Sequence, residues 1–142
     1  GAEEPSRARQ LVIGGDVLVS TVRPNLRATA SVTGDFEGAV ASTGFCVLRS
    51  NGPFIPEYLA ALVRLPWFTN QLVSRCTGAS YPAVTDSIVK SIRVPIPPIS
   101  LQKAFGAYVA ETRALAAAQA VGHHLVDDLF QSLLHRAFQG EL

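Results

Sequence analysis

PIPPISLQKAFGAYVAETRALAAAQAVGHHLVDDLFQSLLHRAFQG, residues 95–140, is the stretch that decides the fold. It opens with Pro95, Pro97 and Pro98, a stiff extended linker that separates the N-terminal body from the C-terminal segment. No proline then occurs through Phe138, and Ser100 is placed to cap a helix. Apolar or small residues recur at Leu101, Phe105, Tyr108, Thr112, Leu115, Gln119, Gly122, Val126, Leu129 and Leu133. The steps alternate four and three throughout, which is the heptad rhythm of a coiled coil. Thr112, Gln119 and Gly122 interrupt that seam. A helix over 101–138 is roughly 55 Å long, and Gly140 supplies its stop. Such a helix is too long to bury its seam against a body of about 100 residues. It calls for a partner helix. The alternative is a kink at Gly122 and a return as a helical hairpin.

Working outward, the region before the prolines reads as a small mixed body, so the fold class is α+β with one long C-terminal helix. Leu11-Val12-Ile13 runs into the turn Gly14-Gly15-Asp16, and β-branched Val17 to Val22 reads as a strand. Arg23-Pro24-Asn25 punctuates it. Leu26 to Val32 reads as a second strand, 33–38 as a hairpin loop, and Val40 with Phe45 to Leu48 as further strand. After the turn at Ser50 to Pro53, Pro56 starts a helix through Arg64, with Tyr58, Leu59, Leu62 and Val63 on one stripe. Pro66 breaks it, and Trp67 to Arg75 forms a second helix. Thr77 to Pro82 is a loop, Ser87 to Lys90 a helical turn, and Ile92-Arg93-Val94 a short strand. Residues 1–10 are polar and read as a flexible terminus.

Almost half of the 142 residues are hydrophobic, so a packed core is expected. No apolar run is long enough to span a membrane and no secretory leader opens the chain, so a cytoplasmic location is the expectation. The chain contains no methionine and begins Gly1-Ala2, which points to a fragment or a tagged chain, or to a start upstream. The net charge of +1 hides an asymmetry. Residues 5–100 carry nine Arg or Lys against five acids, and residues 101–142 carry three against four. Ten of the twelve basic residues are Arg, whose planar fork suits phosphate and guanine.

Catalytic and metal chemistry find little support. Cys46 and Cys76 have no partner at metal-ligand spacing and read as reduced thiols. Adjacent His123 and His124 point about 100° apart on a helix and cannot chelate one metal. His124 and Asp128 at i, i+4 share a face that reads as solvated. A Cys–His hydrolase needs a histidine near Cys46 or Cys76, yet every histidine lies on the C-terminal helix. There is no phosphate-binding glycine loop and no pocket for a nucleotide or methyl donor; no cofactor is expected. The suggestive cluster is Ser20, Thr21, Arg23, Asn25 and Arg27. Strand alternation puts Arg23, Asn25 and Arg27 on one side if the chain stays extended through Pro24. Arg pairs with guanine and Asn with adenine, and both bind phosphate; turn residues and surface charge account for the cluster equally well. Arg75, Ser80 and Tyr81 form a second candidate, for DNA contact or for capping the body.

Certain segments carry a resemblance. GDVLVSTVRPN (15–25), ASTGFCVLR (41–49), GASYPAV (78–84) and IRVPIPPISLQKAF (92–105) occur in this order, and LLHRAFQGEL (133–142) closes the chain. Together they resemble the specificity subunit of type I restriction-modification systems. The resemblance implies a non-catalytic DNA-recognition module. In that family a full subunit carries two target-recognition domains, each followed by a conserved helix and each reading half of a split site. The helices pair antiparallel, and the assembly recruits methyltransferase and motor-nuclease subunits. On this reading residues 11–99 are a recognition domain, short at its N-terminus, and residues 100–142 its spacer helix. One domain and one helix imply a truncated subunit or half-subunits that pair as a homodimer. The candidate DNA-binding residues are then Ser20, Thr21, Arg23, Asn25, Arg27, Arg75, Ser80 and Tyr81. The candidate helix-pairing residues are Leu101, Phe105, Tyr108, Leu115, Gly122, Leu125, Leu129 and Leu133. A segment shared by proteins that read different sites supports the fold or touches phosphate more than it reads bases. The competing function is an assembly module whose helix pairs with other subunits without reading DNA; a hydrolase using Cys46 is a distant third.

Overall fold

Val17 to Ser20 form the central strand of the molecule, because their alternation matches a sheet with one covered face: Val17 and Val19 are buried and Leu18 and Ser20 half-buried. The structure is a computed structural model and describes residues 10–141. The flexible terminus expected over 1–10 lies outside the described residues except for Gln10. The chain divides into two compact units, the first ending at Lys103 and the second starting at Ala104.

The first unit contains β1 (Gln10–Leu11), β2 (Val17–Ser20), β3 (Thr29–Ser31), β4 (Val40–Ala41), β5 (Phe45–Leu48), α1 (Pro56–Leu62), α2 (Pro66–Val73) and α3 (Asp86–Ser91). Strands β3, β2 and β5 form an antiparallel sheet in that order, with Val17 opposite Leu48 and Ser31. Strand β1 pairs with β4 in a separate two-stranded ribbon. Val17, Val19 and Cys46 of the sheet meet Leu59 and Val63 of the α1 segment, Phe68 and Leu72 of α2, and Val89 of α3 in one core. Pro56 and Pro66 each occupy the first turn of a helix, where the missing N–H is not needed. Thr85 caps α3, its hydroxyl accepting from the Ile88 N–H at 3.2 Å.

Several sequence expectations change. The strand read over 17–22 stops at Ser20, whose hydroxyl donates to the Val22 carbonyl at 2.8 Å and offers the backbone a local alternative to the ladder. The strand read over 26–32 is only Thr29–Ser31. Residues 33–38 are not a hairpin loop, because β3 pairs with β2 and β4 with β1; a one-turn 3-10 helix occupies Gly34–Phe36 instead. Residues 92–94 form no strand; Ile92 packs into the core without a ladder partner. Pro66 opens α2 as well as ending the run before it.

The long helix is α4, Ile99–Phe138, 40 residues without interruption and roughly 60 Å long. It starts two residues before Leu101, so Ser100 lies inside the first turn rather than at the cap; the Pro98 carbonyl accepts from the Leu101 N–H at 2.9 Å and the Gln102 N–H at 3.2 Å. There is no hairpin at Gly122. At the far end Gly140 adopts φ 76°. Its N–H donates to Ala137 at 3.1 Å, and the Glu141 N–H to Arg136 at 3.0 Å, the paired bonds of a Schellman stop.

Candidate nucleic-acid interface

The backbone from Ser20 to Arg27 does not run straight. Arg23 and Arg27 both adopt left-handed conformations, with φ 46° and 54°, and Pro24–Leu26 between them form a 3-10 turn. The expectation that Arg23, Asn25 and Arg27 line one side of an extended strand is therefore wrong. Pro24 fixes its own φ near the helical range and so favours the turn over the strand. Left-handed geometry at a residue with a Cβ costs on the order of 1 kcal/mol, and specific bonds hold it here. The Arg23 N–H donates to the Pro82 carbonyl at 2.8 Å, and the Arg27 N–H to Pro24 at 3.0 Å. Arg23, Asn25 and Arg27 are all exposed, whereas Pro24 is buried.

Residues 77–84 lie beside this turn. Thr77 and Ala83 exchange N–H to carbonyl bonds at 3.0 Å each, closing a loop, and Val84 donates to the Thr21 carbonyl at 2.8 Å. The loop requires glycine at 78, where φ is 91° and a Cβ would stand 2.7 Å from the Tyr81 carbonyl oxygen. Its geometry brings the Tyr81 ring under the Arg23 guanidinium, 5.1 Å from centroid to cation, a cation–π distance. Two candidate segments far apart in sequence thus meet at the Arg23–Tyr81 contact, and Asn25, Arg27 and Ser80 are exposed on the same two segments.

The remaining candidates divide. Thr21 is buried and its hydroxyl donates to the Gly44 carbonyl at 2.9 Å; the Ser20 hydroxyl is spent on Val22. Both brace the turn. Arg75 is exposed but folds back on α2, donating to the Gln71 carbonyl at 2.7 Å and its side-chain oxygen at 2.6 Å. The sequence alone does not single out Arg64. Its Nε donates to the Thr29 hydroxyl at 3.3 Å, which sets a further cation beside β3. No local pattern announces a contact spanning 35 residues.

A second missed cluster is structural. Asp16 is fully buried in the turn after β1, and its carboxylate takes two bonds from Arg49, from Nε at 2.9 Å and Nη2 at 2.8 Å, and one from the Ile13 N–H at 2.9 Å. The Arg49 hydrogen bond holds the carboxyl below the usual range, against burial, and raises Arg49 in return. This pair ties the Gly14-Gly15 turn to the end of β5.

Cys46 and Cys76 are free thiols, and burial, with the Asp86 charge behind it, pushes Cys46 up to about 11. Cys76 is also raised by desolvation. A thiol held that high is a poor nucleophile at neutral pH. His124 and Asp128 pair at 3.7 Å on an exposed face of α4. No group of three or more His, Cys, Asp or Glu among the described residues could hold a metal. A cavity of about 500 Å³ in the first unit opens between β5, α1 and the α3 segment, lined mostly by apolar side chains such as Leu59, Val63 and Phe68, with Arg49, Asn51 and Lys90 also in its wall.

On α4 the helix-pairing candidates Leu101, Phe105, Tyr108, Leu115, Gly122, Leu125, Leu129 and Leu133 are all exposed. The polar interruption at Thr112 is satisfied within the helix, its hydroxyl donating to the Tyr108 carbonyl at 2.8 Å. Nothing stands within 4 Å of a Cβ at Gly122. No described helix is long and apolar enough to cross a membrane.

No family model matches the chain. It is similar to the type I restriction enzyme HindI specificity subunit of Haemophilus influenzae, 28% identical over 96 residues, which is 66% of this chain and 21% of that protein. It also superimposes on the HsdS subunit of Thermoanaerobacter tengcongensis with a TM-score of 0.62 and 42% identity, over 82% of this chain and 32% of that one. Both of these relatives are type I restriction-modification specificity subunits, which the chain resembles in sequence and in fold. A further match, to a chain from structural work on complex assembly and conformational transition of the type I system, has a TM-score of 0.65 and 43% identity. It covers 82% of this chain and 30% of that one. The chain spans between a fifth and a third of the length of the relatives it matches. Specificity subunits are non-catalytic.

Proposed function

We propose that the chain is a DNA-recognition module that reads one half of a bipartite site and docks a methyltransferase subunit, acting in the cytoplasm. The body over 11–99 is the target-recognition domain and 100–142 the spacer helix. The observation that carries the reading is the joining of 20–27 to 77–84, which sets Arg23 over the Tyr81 ring, with Asn25 and Arg27 exposed on the same turn. Arginines and an amide in a fixed turn suit phosphate contact with some base readout. Two copies paired through α4 restore the two-domain layout, a twofold arrangement that matches paired half-sites. Motor-nuclease subunits join through the complex.

Anisotropy titrations of duplex libraries, with and without the methyltransferase subunit, test this. Binding is expected at about 50 mM salt and falls steeply as salt rises. Each of Arg23→Ala, Arg27→Ala and Arg64→Ala should lower the salt slope by about one. No binding at low salt, with or without the methyltransferase subunit, defeats the reading. The exposed seam of α4 favours one alternative, an assembly module that does not read DNA. Affinity unmoved by Arg23→Ala, Arg27→Ala and Arg75→Ala together supports that alternative.

A further inference from the structure

Leu26 is the most exposed large apolar side chain of the first unit among the described residues, with 66% of its surface open. Nothing about a turn calls for that, since turn positions facing water favour Asn, Asp, Ser or Gly. Leu26 ends the 3-10 turn Pro24–Leu26 and is fixed from both sides. Its N–H donates to the Arg23 carbonyl at 2.9 Å, the Arg27 N–H donates to Pro24 at 3.0 Å, and Pro24 is buried beneath the turn. The flanking residues are as unusual. Arg23 and Arg27 are the non-glycine residues with positive φ among the described residues, whereas glycine holds the five other such positions. Glycine would relieve the strain at 23 and 27, so the arginine side chains are there for what they contact. Among the described residues neither forms an ion pair. The turn is thus a stiff tip that carries one bare apolar group between two cations.

Duplex DNA offers a partner for each part of that tip. The arginines suit its phosphates. Its base edges carry one apolar group, the C5-methyl of thymine, which stands in the major groove. Wedging the leucine between base pairs would also hide it, but only after they unstack; contact with a methyl hides it with the duplex intact. We propose that Leu26 is a specificity-determining residue that selects thymine by packing on its C5-methyl, while Arg23 and Arg27 hold the tip on phosphates. The proposal rests on the recognition reading above and adds to it a base and the side chain that reads it.

The test takes the duplex that the full chain selects from a random library, with the methyltransferase subunit present, and replaces each thymine by uracil in turn. Uracil pairs as thymine does and lacks only the methyl. At one thymine of the selected site the replacement should weaken binding about three- to fivefold, the effect of one buried methyl. Leu26→Ala should bring that ratio to about one, and Leu26→Met, apolar and of similar volume, should keep it. A methyl contact releases no counterions, so Leu26→Ala should leave the salt slope unchanged, where Arg27→Ala lowers it by about one. The side chain is exposed, so neither substitution at Leu26 should move the urea midpoint. A selected site in which no thymine responds to loss of its methyl overturns the proposal. So does a methyl effect that persists in Leu26→Ala. Affinity lost equally on thymine and uracil duplexes in Leu26→Ala would place the side chain elsewhere, as between stacked bases, and overturns it too. In each of those cases the chain still binds DNA and the recognition reading stands. A parent chain that binds no duplex sinks that reading, and the proposal with it.

Discussion

The first unit and the α4 helix solve the problem of burying apolar surface in opposite ways. In the body, Val17, Val19, Cys46, Phe68 and Leu72 are all nearly inaccessible. Along α4 beyond the first unit, Leu115, Leu125, Leu129 and Phe130 remain more than half exposed. A helix of that length survives in water chiefly by packing an apolar face, since propensity alone contributes little. The body therefore carries its stability within one chain, and on the proposal that two copies pair through α4 the helix draws its stability from the second copy. Unfolding of the body should be independent of protein concentration, whereas order in α4 should depend on it.

The largest expected effect breaks the helix side of that contrast. Leu115→Asp, Leu125→Asp and Leu129→Asp together remove three leucines from the seam of each copy, at about 2 kcal/mol apiece, and add like charges. Analytical ultracentrifugation should find a self-associating chain become monomeric, while the urea midpoint of the body stays put. A body that unfolds with the helix would show that the two units do not divide their stability in this way. On the other side, Phe68→Ala opens the core and should cost about 3–5 kcal/mol. Urea denaturation followed by Trp67 fluorescence measures it, and the loss should be the same at all protein concentrations.

A smaller effect lies at the body's polar tie. Asp16→Ala leaves the Ile13 N–H and the Arg49 guanidinium without their acceptor and should cost about 2 kcal/mol. The folded carboxyl titrates below its unfolded value. Its contribution is therefore fully present above the unfolded pKa, near 3.9, and is lost as pH falls through the lower folded pKa. Stability profiles of the parent and Asp16→Ala should be parallel at neutral pH and converge in acid. A constant gap down to the lowest pH would show that the charge on Asp16 contributes nothing.

The same contrast explains what could be read from sequence. Helix α4 was legible almost to the residue because its information is local: no proline, a heptad rhythm, and Gly140 after it. Its start was missed by two residues because the Pro98 carbonyl, rather than Ser100, satisfies the first N–H groups. The body was legible in its strands and helices but not in its joins. Ser20 ends a strand that β-branched composition would extend, and Arg23 and Arg27 turn left-handed because Pro82 and Pro24 hold their backbones. The pairing of Tyr81 with Arg23 and the reach of Arg64 to Thr29 both depend on partners distant in the chain. No spacing rule encodes them. Residue types thus name most of the candidate interface without revealing its geometry, and the straight face that alternation assigns to it is wrong.

The smallest expected effect is the sharpest for the helix. Gly122 lowers helix propensity by about 1 kcal/mol relative to alanine, and the chain itself offers no steric reason for it, since a Cβ there meets nothing within 4 Å. If α4 stood alone, Gly122→Ala would only help: helical content would rise and nothing else would change. If Gly122 lies in a seam where a second helix approaches closely, an added methyl on each copy overpacks the contact and costs about 1–3 kcal/mol. The two effects separate by concentration. Dilute chain, read by circular dichroism, should gain helix on Gly122→Ala. A dimer paired through α4, read by sedimentation, should dissociate about five- to 150-fold more readily. Gain in both readouts would move the pairing face away from Gly122, toward the exposed Val121, Leu125 and Val126.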